Sequence, residues 1–420
     1  MLNGEIQNTN GNVNVTNNNG AVNITGDILN LKGNTNITNT SGNISLTTAN
    51  IQNNYGNTNI NANTRVAIDN SQITNANGDL TVTANSGIST SNSEVANQNG
   101  NLTYDNKNGN VSVTNSNIMN KNGSLTIKNA GNGKVTEDEQ STISNTEGIL
   151  TIDNSGSGGI DISGNITQSS SNNNNEQTIK ILNTAGGVNL NSSGRINNTN
   201  RTLIDNSGSN GINVKGIVTS KGIDIENKNS NVVIGDTTSN TNYLTSTGRG
   251  VNINITNGNL YNAGVAKTLI AAQNGGNLNI HVEDGSIGQE PGICADGVCT
   301  GLGADARDLT KSINANVDGT YTAVTTRNNS TNDLSINLAA IDSDMKIDYI
   351  DADGRAILLA DASTKGERSY DIINAASDKS KANVTGKGIS IIASGPKSIV
   401  SVNCNRKVFL KRKYKNGIIR

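Results

Sequence analysis

Apolar and polar positions alternate along most of this chain within one recurring phrase: a glycine, one further residue, then an alternating strand-like triplet. It reads GNVNV at Gly11, GAVNI at Gly20, GNISL at Gly42, GNTNI at Gly56, GDLTV at Gly78 and GNLTY at Gly100. Later copies include GNVSV at Gly109, GSLTI at Gly123, GILTI at Gly148, GVNIN at Gly250 and GNLNI at Gly276. Gly20 to Gly42, Gly56 to Gly78 and Gly78 to Gly100 each span 22 residues, and Gly100 to Gly123 spans 23. Steps of 9 and 14, as from Gly11 to Gly20 and Gly42 to Gly56, divide that period. A period near 22, cut into two or three short strands, predicts an all-β chain: a right-handed parallel β-helix, one coil per repeat.

Strict alternation gives each strand one buried and one exposed face, so Val13, Val15, Val22 and Ile24 are expected to point inward. One coil cannot bury its inner face alone; it must stack on its neighbours through parallel ladders about 4.8 Å apart. A β-sandwich would need hairpin loops of irregular length and a bulkier core, and would leave no constant period. Glycine and asparagine ahead of each strand suit the left-handed corners of such a coil. Asparagine stacked over asparagine can also hydrogen-bond along the axis.

Composition agrees with a thin core. Only 32% of the 420 residues are hydrophobic and 2% aromatic, with one Phe and no Trp. Disorder would want a high net charge as well, and the net charge is −2, with 32 basic and 34 acidic residues interspersed. That balance leaves no electrostatic footprint for nucleic acid or a membrane surface over most of the chain. No run of 18 apolar residues exists to form a transmembrane helix. The opening, MLNGEIQNTNGNV, lacks the basic and apolar regions of a signal peptide, which suits either a cytoplasmic protein or an internal piece of a longer one.

The texture divides the chain into an Asn/Gly-rich repeat over 1–282, continued β-structure with a cysteine-bearing lateral loop over 283–395, and a basic tail over 396–420. Alternation persists in the second part, in LSINLAAI and MKIDYI. The tail, with Arg406, Lys407, Lys411, Arg412, Lys413 and Lys415, departs from the repeat and reads as disordered, non-native or an interaction tail.

Candidate chemistry is sparse. Carbohydrate-cleaving β-helices need clustered carboxylates and aromatic platforms. The first 280 residues hold four tyrosines (Tyr55, Tyr104, Tyr243, Tyr261), and Asp69, Asp153, Asp161 and Asp205 follow turns. The densest acidic run is Asp342, Asp344, Asp348, Asp351 and Asp353; Asp351-Ala-Asp353-Gly354 imitates the start of a calcium loop, but its twelfth position is Ala362 where Glu is required. These aspartates are expected to face outward. His281, the only histidine, lies opposite Ile280 and Val282 in alternation and reads as a surface residue. Sequons at Asn23, Asn36, Asn43, Asn101, Asn110, Asn165 and Asn254 are what so much Asn, Ser and Thr produces by chance. Cys294 and Cys299 bracket Ala-Asp-Gly-Val, a turn-forming spacing that suits either a small disulfide-closed loop or two free thiols; Cys404 has no partner. No catalytic residue, metal or cofactor is expected, and the chain reads as non-enzymatic.

Repeats of the GNVNVTN, GDLTVTA and GSLTIKN type resemble the rods of large filamentous haemagglutinin-like exoproteins. The later segment, with GSIG, CADGVC and SINANVDGTYTAV, looks most like leukotoxin-type filamentous adhesins. The resemblance implies an extracellular or cell-surface β-helical shaft, exported by two-partner secretion through an outer-membrane transporter. Its implied partners are host cells or extracellular matrix, without nucleic acid or membrane insertion. Two alternatives stand beside it: a carbohydrate-active β-helix of lyase or phage-tailspike type, and a purely structural self-assembling fibre. Peptide mass mapping of the protein after oxidative expression should find Cys294 joined to Cys299. Free thiols at both would remove the local argument for an extracytoplasmic setting.

Overall fold

The computed structural model describes residues 1–170, 176–237, 242–264, 268–288, 294–295, 298–299, 312–327, 334–361, 368–394, 397–405 and 408–413. The fold is all-β, without helices among these residues, and its parallel strands stack into a solenoid with coils of about 23 residues. Two compact units are present, Met1–Ser209 and Asn210–Arg420.

In the first unit a coil carries three strands. Ile44–Thr47, Asn50–Asn53 and Thr58–Ala62 form one coil; Arg65–Asp69, Gln72–Asn75 and Leu80–Ala84 form the next. Each strand pairs in parallel with its counterparts in adjacent coils, so like stacks on like. The columns run Ile44, Val66, Ile88; Ile51, Ile73, Val95; and Ile60, Val82, Tyr104. None of these nine side chains is more than 1% exposed. β-Branched residues suit such columns because their stiff side chains stack cleanly on a pleated surface. Val13, Val22 and Ile24 are buried as expected. Val15 is only half-buried: its ladder partner Ile37 covers it from one side.

Asparagine does more than turn the chain. It also fills the last inward position of many strands. Asn53, Asn75, Asn97, Asn120 and Asn145 stack in one interior column, each at most 2% exposed. The Nδ2 of each donates to the Oδ1 of the next, at 3.1, 3.0, 3.0 and 3.1 Å. A second column, Asn106, Asn129, Asn154, Asn183 and Asn206, repeats this at 2.8, 2.8, 3.2 and 2.6 Å. The same amide groups reach the corner that follows: Nδ2 of Asn53, Asn75 and Asn106 donates to the carbonyl of Gly56, Gly78 and Gly109 at 2.9, 2.8 and 3.1 Å. One interior asparagine therefore ties its own turn to the neighbouring coil. In the second column Ala62 and Ala84 occupy the rungs beneath Asn106, and the Asn106 Oδ1 has no hydrogen-bond partner.

The corner glycines answer two demands at once. Gly56, Gly78 and Gly100 have φ of 120°, 126° and 125°, and a Cβ on each would lie 2.3, 2.4 and 2.2 Å from the carbonyl oxygen of the stacked glycine. The next residue locks the same corner. Asp79 N–H donates to Asn57 Oδ1 at 2.9 Å, and Asn101 N–H to Asp79 Oδ1 at 2.8 Å. Gly42, read in the sequence as another left-handed corner, has no positive φ; glycine is needed there because a Cβ would sit 2.2 Å from Gly20 O.

The second unit uses the same stacking, with columns Ile223, Val251, Leu278, Tyr321 and Val218, Leu244, Ile270, Ala315. Alternation breaks in both places where the sequence suggests it. Ile336–Ile341 is buried on both faces, and Ala339, Ile341 and Leu359, with Ile392 against them, form a small separate apolar cluster. Met345–Asp351 contains a bulge: Tyr321 and Thr322 face Ile347 and Tyr349, so Asp348 is an extra residue. Tyr349, which unbroken alternation would turn inward, is exposed beside Asp348, and Ile350 takes the interior place. Within the basic tail, Val408–Lys413 pairs in parallel with Gly388–Ser394.

The interior ladder makes a quantitative prediction. Asn129→Ala removes both the donor to Asn154 and the acceptor from Asn106, and is expected to cost about 2–4 kcal/mol by denaturant unfolding. Lys128→Ala, exposed on the same strand, should stay within about 0.5 kcal/mol. Equal effects from the two would refute the ladder's role.

Candidate functional site

One corner of the first unit is built differently from the glycine corners. After the strands ending at Thr47, Asp69, Ser91 and Thr114, the chain passes through a left-handed residue: Thr48, Asn70, Asn92 or Asn115, with φ of 51°, 47°, 49° and 44°. Asparagine tolerates this region better than most residues, since its short polar side chain bonds locally. A small residue follows, and Ser71, Ser93 and Ser116 are 5%, 7% and 3% exposed. Each of these hydroxyls donates to a carbonyl two residues back, at 2.8, 2.6 and 2.7 Å. Each also accepts an N–H from the preceding coil, with Ala49, Ser71 and Ser93 donating at 3.0 Å in every case. The serines thus make a closed floor running along the axis.

Two ridges stand over that floor. Thr48, Asn70, Asn92 and Asn115 form one, and Asn50, Gln72, Glu94 and Asn117 the other. Between them lies an open cavity of about 460 Å³. Its lining carries one ionisable side chain, Glu94, whose Oε2 accepts Gln72 Nε2 at 3.4 Å. The groove was legible in principle. The triplets Asn70-Ser71-Gln72, Asn92-Ser93-Glu94 and Asn115-Ser116-Asn117 recur on the coil period, but without the glycine that marks the other corners.

The residues singled out in the sequence are scattered. His281 is exposed between buried Ile280 and Val282, as alternation requires. Asp342, Asp344, Asp348, Asp351 and Asp353 are exposed or half-buried, and several serve the backbone or each other's coils. Asp344 accepts the Asp371 N–H at 2.8 Å, and Asp353 pairs with Arg327 Nε at 2.8 Å. Asp351 accepts Tyr349 OH at 3.2 Å and the Thr385 hydroxyl from the next coil. Asp161 bridges Lys134 at 2.6 Å and Asn189 at 2.7 Å. Among the described residues no three of His, Cys, Asp and Glu gather as a metal site. The backbones of Cys294 and Cys299 stand opposite one another in a short antiparallel pair, while their thiols lie outside the described residues. Cys404 is free and half-buried, and burial pushes its thiol up.

Glu137 escaped the sequence reading. It occupies an inward position between Val113 and Ile162, 3% exposed, in a column that within the first unit is otherwise hydrophobic apart from Thr90. Its Oε2 accepts the Gly164 N–H at 3.1 Å, and its Oε1 has no hydrogen-bond partner. Burial pushes its pKa up to about 8; the Gly164 N–H opposes this and Asp138 adds to it. A folded-state pKa above the unfolded value of about 4.3 means that the folded chain holds the extra proton. Stability is therefore full below about pH 4 and declines as pH rises toward 8, by a few kcal/mol at most. Glu137→Gln should flatten that decline and raise the denaturation midpoint at pH 8. An unchanged pH profile in the variant would rule this out. No protein-family model, curated protein or solved structure matches the chain.

Proposed function

We propose that this chain is a structural shaft of a surface-exposed or secreted bacterial adhesin or exoprotein, exported through an outer-membrane transporter, that attaches to host cells or matrix without catalysis. The observation that carries the reading is the stacking register: interior columns stay aligned coil after coil, and outward columns such as Thr81, Thr103, Thr126 and Thr151 repeat short polar side chains. Such a scaffold presents a long, repetitive surface and supplies few groups for bond-making chemistry. The resemblance of the GNVNVTN and GDLTVTA repeats to filamentous haemagglutinin-like exoproteins supports the same reading.

A carbohydrate-active reading has one observation in its favour. The bulge brings Tyr349 to the surface beside Asp348 and Asp351, with the Arg327–Asp353 pair nearby on the chain. An exposed ring beside carboxylates is the arrangement that sugar chemistry uses.

Purified chain applied to cultured host cells and immobilised matrix proteins should bind saturably. It should release no reducing ends from polysaccharides. Silence on cells and matrix would leave the purely structural fibre, and reducing-end release abolished by Asp351→Asn would install the enzyme.

A further inference from the structure

The serine-floored corner is a cavity that the shaft reading leaves without a task. We propose that it is a binding groove for a linear, uncharged polysaccharide lying along the coil axis, with one sugar ring against each rung. This goes beyond the proposed function and stands whether or not the chain attaches to cells.

Four properties of the groove point to that ligand. First, three carboxamides stand on each ridge, with the Thr48 hydroxyl completing one and the Glu94 carboxylate the other, and a carboxamide pairs with sugar hydroxyls as donor and acceptor together. Among the described residues the carboxamides of Asn50, Asn70 and Asn117 make no hydrogen bond, and they stand exposed on the two ridges. Second, one ridge is held in register before any ligand arrives. Asn115 Nδ2 donates to Asn92 Oδ1 at 2.8 Å, and Asn92 Nδ2 reaches Asp69 Oδ1 at 3.5 Å. Pre-organised donors lose less entropy on binding. Third, no Lys or Arg lines the groove and Glu94 does, so a sulfated, uronic-acid or phosphate polymer would meet repulsion without a counter-charge. Fourth, the rungs repeat at the inter-strand spacing of about 4.8 Å, whereas an extended peptide advances about 3.3 Å per residue and falls out of step. A pyranose in an extended β-1,4-linked chain advances by slightly more than one rung. The floor itself takes no part in recognition, because each serine hydroxyl already both donates and accepts, so the ligand is held by the ridges.

The groove has no aromatic residue in its lining, so binding gains nothing from ring stacking and rests on repeated hydrogen bonds. Affinity should therefore climb with ligand length until four rungs are covered, the number that line the cavity.

The test is calorimetric titration of the full chain with neutral β-linked glucan and mannan oligosaccharides of increasing length. Controls are an acidic polysaccharide and an extended polar peptide. Length-dependent binding of a neutral oligosaccharide is expected. The double variant Asn50→Ala/Asn117→Ala should weaken it at least tenfold with an unchanged melting curve, and Lys128→Ala, outside the groove, should bind as the native chain does. The proposal is overturned if no neutral oligosaccharide binds, if the double variant binds equally well, or if the acidic polymer or the peptide binds better.

Discussion

A buried carboxamide has two donors and an acceptor with two lone pairs, and inside a narrow coil only the adjacent coils and the adjacent turn can satisfy them. The rest of the first unit follows from this constraint. An interior asparagine left alone would cost more than a hydrophobic residue in its place; stacked, it joins its own corner to the next coil. The register is held even where coil length is not. The Asn97–Asn120, Asn120–Asn145 and Asn154–Asn183 bonds span 23, 25 and 29 residues, yet all remain within hydrogen-bond distance. Extra residues are accommodated outside the ladder, as in the Asp138–Ser141 corner, and the ladder goes on.

Much of this was legible in the sequence. The glycine spacing gave the coil, and alternation placed Val13, Val22, Ile24 and both neighbours of His281 correctly. The interior asparagines were not legible as interior. Hydropathy counts Asn75 and Asn97 as polar, and only the stacked neighbour makes burial tolerable for either. Glu137 was hidden for the same reason, since the backbone N–H it faces belongs to Gly164, 27 residues away.

The misread positions in the second unit have a different cause. A strand pattern assumes one residue per pleat, and a bulge breaks that assumption locally. Tyr349 moved from the expected core to the surface through one additional residue, Asp348, that nothing in MKIDYI marks as extra. Likewise the serine corner carries no glycine, because asparagine at a left-handed φ does the same work while projecting a side chain. Corners closed by glycine are smooth; corners closed by asparagine are chemically furnished. That difference separates candidate binding surface from plain scaffold within one unit.

The central claim is that stacking between coils, more than any single strand, holds the backbone. Hydrogen–deuterium exchange resolved along the first unit tests it most directly. The amides of Leu80, Leu102 and Leu125 each donate to the next coil at 2.9 Å and should exchange slowly, with protection recurring once per coil. Exchange of these amides at unfolded-chain rates, or protection without the coil period, would contradict the account.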